Sequence, residues 1–362
     1  GIGVGDEVIV PAYTYTASAS IVDHVGAKIV FVDIQTDCLE MDYNAVEAAI
    51  TENTKAIISV DLGGIPCDYD RLMEIVKRKK DLFRPKTDLQ KKIGRVAICS
   101  DCAHSFGGYR MKDGRKVMCG AMADFSSFSF HAVKNFTTAE GGALTWHLPF
   151  GEEPVVLDLD LNPENAFSKV SVKEGNNWNQ RIYRICQLLS LHGQNKDALA
   201  KTKLGAWEYD IVGPWFKCNM TDVVAALGLI QFERYPGMLA KRKKMIEKMD
   251  AVLADINVTV LNHYGKNHAS SGHLYIVRLL GKTREQTNGV IEKMAERGIA
   301  TNVHYKPLPM MTAYKKIGFD IKDFPNAYHM FENEITLPLN TKMTMEDVDY
   351  VMENFVDIVK SL

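Results

Sequence analysis

Apolar residues in this chain arrive in short runs separated by stretches of helical period. Val8-Ile9-Val10, Lys28 to Val32, Ala56 to Val60 and Val96 to Cys99 are rich in β-branched residues, which predicts buried strands. Between them, Ala19 to Val25, Asn44 to Ile50 and Tyr69 to Lys77 read as helices. Repeated β-α-β units with apolar strands predict an α/β fold: a mainly parallel sheet sandwiched by helices, with functional residues at the carboxyl ends of its strands. Ala123 to Phe130 and Ala143 to Trp146 add two strands, and Tyr109 to Gly120 resembles a solvated hairpin. The basic, polar stretch from Lys79 to Gly94 reads as a surface insertion.

The pattern fades between Gly151 and Asn179, where Asn162-Pro163 and Asn176-Asn177 suit an excursion or mobile loop. Order returns at Arg181 to Leu191. From Thr221 to Ile256 the positions Val223, Ala226, Leu227, Ile230 and Phe232 predict a core-facing helix with Asp222 in its first turn, and Pro236 is expected to end or bend it. A smaller α+β domain follows, with strands at Val258 to Leu261, His273 to Leu279 and Thr301 to Tyr305. Its helices are Arg284 to Arg297, stopped by Gly298, and Met345 to Lys360. The expected division is a large α/β domain over 1–220, connecting helices over 221–256 and the small domain over 257–362.

Composition narrows the classes of partner. With 362 residues, of which 46% are hydrophobic, the chain has material for two cores. Its 43 basic and 45 acidic residues leave a net charge of -2, which gives no electrostatic reason to bind nucleic acid or an anionic membrane. No run approaches the ~18 apolar residues of a spanning helix. Seven scattered cysteines without an early secretion-type segment suit a reduced, cytoplasmic protein. Gly1 to Glu7 leads into a strand as a loop inside a domain would, without an initiator methionine, so the chain is expected to be truncated. Gly1, Gly3 and Gly5 precede a strand rather than follow one, the reverse of a phosphate-binding glycine loop.

The candidate chemistry centres on Lys134, within Phe125 to Gly142. A lysine delivered from a strand end into a cleft loses solvation, which lowers its pKa and frees its amine to form an imine with an aldehyde. The strand ending at Cys99 runs into Asp101 and His104. Pyridoxal phosphate asks for this set: Lys134 for its aldehyde, Asp101 to keep its ring nitrogen protonated, the flat His104 ring on its face and Ser129 for its phosphate. Cys99 and Cys102 have metal-site spacing, but they stand without a second pair and straddle Asp101. Lys241 to Lys244 reads as a solvated helix face, and His131 is left undecided between structural and functional roles. Met310-Met311 and the aromatics near Trp207 suit either core packing or a sugar pocket.

Several ordered motifs together resemble the DegT/DnrJ/StrS aminotransferases. They are Asp101-Cys102-Ala103-His104, Phe128 to Asn135, Thr137 to Gly142 and Lys217 to Asp222, joined by Gly5 to Pro11, Leu191-His192-Gly193, Val303-His304-Tyr305 and Leu337-Pro338-Leu339. The resemblance covers nearly the whole chain and implies the aspartate aminotransferase type fold, fold type I. It implies pyridoxal 5'-phosphate as cofactor, glutamate as amino donor, a nucleotide-linked keto-sugar as acceptor, and a homodimer with shared active sites. Lys134 would carry the cofactor and move the proton, Asp101 would pair with its ring nitrogen, His104 would stack on it and Ser129 would bind its phosphate. Asn219 would reach the phosphate of the neighbouring subunit, and Tyr15, His304 and Tyr305 would face substrate. Ala132 and Ala139 depart from the family's usual proline and glycine. The family's first phosphate-binding turn lies before Gly1, which is expected to weaken cofactor binding. A keto-sugar dehydratase of the same family has histidine in place of the lysine, so Lys134 argues against it. A non-catalytic sensing module keeps the fold without turnover, and a desulfurase would need a mobile cysteine that is not identified.

Overall fold

The first part of the chain contributes eight strands: β1 (Glu7–Pro11), β2 (Lys28–Val32), β3 (Thr54–Val60), β4 (Ala97–Asp101), β5 (Tyr109–Lys112), β6 (Arg115–Met118), β7 (Phe125–Ser129) and β8 (Gly142–Trp146). Six form the central sheet in the order β2-β1-β3-β4-β7-β8, parallel throughout except for β8, which pairs antiparallel with β7 at one edge. These positions come from a computed structural model that describes residues 1–153, 177–195 and 208–362. Side chains alternate across the sheet as the pleat requires: Val8, Val10, Ala56 and Val60 enter one apolar cluster, and Ile9, Ile57 and Ile98 the other. Helix α1 (Ala17–His24) covers the first face, and α2 (Tyr43–Ala49) with α3 (Tyr69–Arg78) covers the second. Asp42 and Asp68 cap α2 and α3 by accepting backbone N–H bonds. Leu72 and Ile75 of α3 are essentially inaccessible, and each contributes about 1.5–3 kcal/mol by leaving water.

The hairpin expected at Tyr109 to Gly120 is present as β5 and β6. Lys79 to Gly94 is more ordered than an insertion, because Thr87 caps α4 (Asp88–Ile93) and Gly94 ends it at φ +69°. Helix α5 (Trp178–Ser190) follows, capped by Asn177. Most of the expected excursion between Gly151 and Asn179, and Trp207, lie outside the described residues.

The next helix does not end at Pro236, the first of the two expected outcomes there, and the expected burial of its apolar stripe is corrected. One helix, α6 (Asp222–Leu253), runs through Pro236. Pro236 has no N–H for the carbonyl of Phe232, itself 61% exposed, one turn back, and the neighbouring Tyr235 anchors the helix through its hydroxyl to the Phe106 carbonyl at 2.6 Å. The stripe predicted to face the core is on the surface: Val223, Leu227 and Ile230 are 75%, 51% and 56% exposed, and Ala226 is exposed as well. The second half of α6 is the buried half, through Met245, Ile246, Met249 and Leu253.

The remaining strands are β9 (Val258–Val260), β10 (His268–Ala269), β11 (Tyr275–Leu279) and β12 (Glu334–Leu337), with helices α7 (Arg284–Glu296), α8 (Thr312–Lys316), α9 (Pro325–Glu332) and α10 (Met345–Lys360). An antiparallel sheet β12-β11-β9 forms the centre of the smaller C-terminal α+β unit, while β10 crosses over to extend the β5-β6 hairpin. Tyr275, Val277 and Leu279 of β11 face α6, α7 and α10, whereas Ile276 packs into the core of the central sheet. Asp33 ties the two units by accepting the Asn326 and Ala327 N–H groups at 2.8 Å each, at the start of α9. Thr301 to Tyr305 is not a strand; Asn302 alone bridges to Thr336. The segment's β-branched residues suit a strand, but its pairing is confined to that one position.

Ala139 sits at φ +68°, in the left-handed region, where an L side chain costs about 1–2 kcal/mol. Glycine relieves that strain but brings about 0.5–1 kcal/mol of extra chain entropy. Ala139→Gly is therefore expected to stabilise the fold by about 0.5–1 kcal/mol, seen as a higher denaturation midpoint.

Candidate active site

The carboxyl ends of β4 and β7 open into a cavity of about 830 Å³ whose lining includes Tyr15, Asp101, His104, Ser129, Lys134 and Tyr305. Asp101 ends β4 and Ser129 ends β7, so adjacent strands deliver both to one edge. Lys134 follows in a short turn held by its own N–H to the His131 carbonyl at 2.9 Å. Its side chain is half-buried, and burial pushes its pKa below the ordinary lysine value against the opposing pull of the Asp101 carboxylate. Nζ makes no hydrogen bond or ion pair with any described residue. The amine is thus partly desolvated and unpaired.

Asp101 is held without the help of a cation. Its Oδ2 accepts from Ser18 Oγ at 2.7 Å, its Oδ1 accepts from the Ala103 N–H at 3.1 Å, and Ser18 lies 3.0 Å from Thr14 Oγ1. Ser18 is in the first turn of α1, far from Asp101 in sequence, and nothing in its run distinguishes it from a packing serine.

His104 is buried, and its Nδ1 accepts the Gly63 N–H at 3.3 Å. The proton of the neutral ring then sits on Nε2, 3.4 Å from the Tyr305 hydroxyl. Burial, followed by the fields of Lys134 and His304, pushes the His104 pKa well below its ordinary value. Its other neighbour is His273, with ring centroids 4.2 Å apart. Asn135 donates through Nδ2 to the Ser271 carbonyl at 2.9 Å, leaving Oδ1 to accept from His273 Nδ1 at 2.9 Å. The residue after Lys134 therefore holds a C-terminal histidine against His104. Asn135 belonged to a recognised motif, but its partner His273 carries no sequence signal.

Two candidates lie elsewhere. His304 is outside this cavity and lines a smaller one of about 170 Å³ with His273 and Thr336, and burial pushes its pKa down to about 4. Asn219 is exposed, bonded to Lys217, and does not reach the cavity of its own chain. Tyr15 is half out of the cavity, its ring 5.7 Å from that of Tyr305. His131 is exposed, with Nε2 3.5 Å from Glu140. Among the described residues no cluster of His, Cys, Asp or Glu is arranged for a metal, and Cys99 and Cys102 are both free thiols. A separate cavity of about 530 Å³ is lined by Arg95 and Lys112, which are engaged by Asp124 and Asp70.

An amine, a carboxylate and a flat neutral ring meeting in one cavity suit a pyridine aldehyde cofactor. The profile described as the DegT/DnrJ/EryC1/StrS aminotransferase family matches residues 1–149 and 177–356. The chain belongs to that family. It is accordingly a pyridoxal-phosphate-dependent aminotransferase of fold type I. A solved structure described as a sugar aminotransferase, Spr1654 of Streptococcus pneumoniae in its PMP form, is 50% identical, with a TM-score of 0.88 over 99% of this chain and 83% of that one. The PLP form of the same protein is 48% identical, with a TM-score of 0.86 over 99% and 82%. The spore coat polysaccharide biosynthesis protein SpsC of Bacillus subtilis is 32% identical over 99% of this chain and 81% of its own length. This aminotransferase thus acts on sugars, and among its described residues no helix is long and apolar enough to cross a membrane.

Two outcomes follow for the site. Ser18→Ala removes a hydrogen bond to a charged group, worth about 1.5–3 kcal/mol, and is expected to weaken pyridoxal phosphate affinity about tenfold or more in a cofactor titration. The buried histidines make folding acid-sensitive. His104, His263, His273 and His304 all titrate below the ordinary 6.5, so the stability they contribute is complete above pH 6.5 and is lost as pH falls below it. Glu334, raised from 4.5 to about 7, works in the opposite direction between those values. Burial also raises Glu40, Asp61 and Asp250, which act in the same sense as Glu334, so the histidine contribution is read by difference: His263→Gln is expected to lose less thermal midpoint between about pH 7 and about pH 5 than the native protein.

Proposed function

We propose that this enzyme moves an amino group from glutamate to the keto group of a nucleotide-linked sugar on a route to a polysaccharide. The observation that carries the reading is the free, desolvated Lys134 amine sharing one cavity with Asp101 and His104. The names of the relatives, a sugar aminotransferase and a polysaccharide biosynthesis protein, support the choice of acceptor class. Pyridoxal phosphate, when bound, supplies the electron sink for breaking and remaking a C–H bond. Asp101, fixed by Ser18 and the Ala103 N–H, holds the ring nitrogen protonated. The neutral His104 covers the ring face without adding a competing charge, and Ser129 takes the phosphate. Lys134 Nζ removes the proton from the donor carbon in one half of the cycle and returns one to the sugar carbon in the other. Tyr15 and Tyr305 face the substrate from this cavity, and His304 from the smaller one that it lines with His273.

The proposal includes a homodimer with shared sites. Phe216, Met220, Val223, Leu227 and Ile230, close to Asn219 in the chain, expose apolar side chains, which suits burial against a second copy and delivery of Asn219 to that copy's phosphate site. All seven cysteines are free thiols, in keeping with a reducing, cytoplasmic setting.

Incubation with glutamate and a panel of nucleotide-linked keto-sugars is expected to yield 2-oxoglutarate and one amino sugar in equal amounts. Lys134→Ala is expected to lower turnover at least about a hundredfold. Borohydride treatment should add the cofactor's mass to the Lys134 peptide of the native enzyme and not to the variant. Native turnover by the Lys134→Ala protein would sink the proposal.

A further inference from the structure

Behind the cavity lies a carboxylate that the reaction above does not use. On β12, Ile335 and Leu337 enter the C-terminal core, while Glu334 and Thr336 turn to the opposite face. There Asn302 and Thr336 exchange backbone hydrogen bonds of 3.0 and 2.8 Å, which seats the following His304 across the strand. The His304 N–H divides between the two Glu334 carboxylate oxygens at 3.2 Å each, and Thr336 Oγ1 donates to Glu334 Oε1 at 2.6 Å. His304 Nδ1 is 2.9 Å from the same Thr336 oxygen.

These contacts have only one consistent direction while Glu334 is ionised. A hydroxyl has one proton, and Thr336 commits it to an oxygen that can only accept. Thr336 then offers His304 a lone pair, so Nδ1 carries the imidazole proton and Nε2 is left as an acceptor. Nε2 has no hydrogen bond to a described residue, and His304 lines the cavity of about 170 Å³ that also includes His273, the ring in contact with His104.

We propose that Glu334 and Thr336 are positioning residues that hold His304 as its Nδ1–H tautomer, presenting Nε2 as an acceptor to a hydroxyl or ammonium group of the substrate, and that protonation of Glu334 reverses this polarity. The substrate half of the statement rests on the sugar-amination reading. In the reversed chain Glu334 takes up one proton and donates it to Thr336 Oγ1, and the Thr336 hydroxyl donates to Nδ1. His304 loses its Nδ1 proton and gains one on Nε2 through the open cavity, so its own charge is unchanged.

The surroundings make that protonation accessible. Glu334 is fully buried, which pushes it up to about 7, against the opposing field of Arg284. Arg284 on α7 is occupied by the Phe331 and Glu334 carbonyls, and Arg278, opposite Glu334 on β11, by Asn333 and the His329 carbonyl. Neither guanidinium makes an ion pair with the carboxylate among the described residues. Tyr13, Tyr305 and His304 are the other titratable groups near it.

The test reads the tautomer directly by nitrogen-15 NMR of histidine-labelled holoenzyme without substrate, the His304 signals being identified by their loss in His304→Gln. The expected result is a protonated Nδ1 and a bare Nε2 well above pH 7, changing to the reverse well below it. Glu334→Gln should abolish the pH dependence, and Thr336→Val should release the Nδ1–H preference. Thr336→Val is also expected to lower kcat/KM for the acceptor about tenfold, with cofactor absorbance retained. Nε2–H in the native protein well above pH 7, or an unchanged tautomer in Thr336→Val, overturns the relay even in an active enzyme. If Thr336→Val does not fold, Glu334→Gln with its native pH dependence intact overturns it instead. A native Nδ1–H tautomer in a protein that aminates no sugar supports the relay and rejects the sugar reading.

Discussion

An amine and a carboxylate occupy one cavity without forming a contact ion pair, and the rest of the site depends on that separation. If Lys134 paired directly with Asp101, the amine would stay protonated and the carboxylate would be unavailable to a ligand. Asp101 instead has its lone pairs met by Ser18 and the Ala103 N–H, which hold an ionised carboxylate in place at no cost in cationic charge. Lys134 meets only desolvation and a distant field, so its pKa falls. Adjacent parallel strands make this possible, since β4 and β7 end side by side and the chain leaves each at the same edge.

The second requirement is a link between the two structural units. His104 belongs to the central sheet and His273 to the C-terminal unit, and Asn135, next to Lys134, hydrogen-bonds across the junction to Ser271 and His273. Gly63 adds a further tie, its N–H on His104 and its carbonyl receiving the His273 N–H at 3.1 Å. At φ +67° this turn adopts a backbone that suits glycine. Because three neutral imidazoles and a half-buried lysine share this junction, any proton taken up there would meet an existing positive field. Their depressed pKa values have that common origin in burial and mutual repulsion.

How much of this was legible in the chain differs from element to element. The strands β1 to β4 and helix α10 follow from local period, because each buries a face whose spacing is written in consecutive residues, and the hairpin follows from its solvated polar composition. Lys134, Asp101 and His104 were legible from chemistry and motif, and the cavity brings them together with Ser129, Tyr15 and Tyr305. Helix α6 was read as core on the same evidence of period, wrongly for its first half, because period shows that a face is apolar and not what it packs against. His304 was placed with Tyr305 by adjacency, but the two line different cavities.

By itself, then, the sequence determined the sheet's identity, the order of its strands along the chain and most of the candidate residues that the cavity gathers, since periodicity and motif spacing are local properties. Tertiary structure alone decided the supporting contacts: Ser18 on Asp101, His273 on His104, and Glu334 with Thr336 on His304. Each joins residues far apart in the chain whose types are common in packing roles. Their meaning comes from distance and direction, and hydrogen bonds of about 3 Å have no counterpart in sequence spacing.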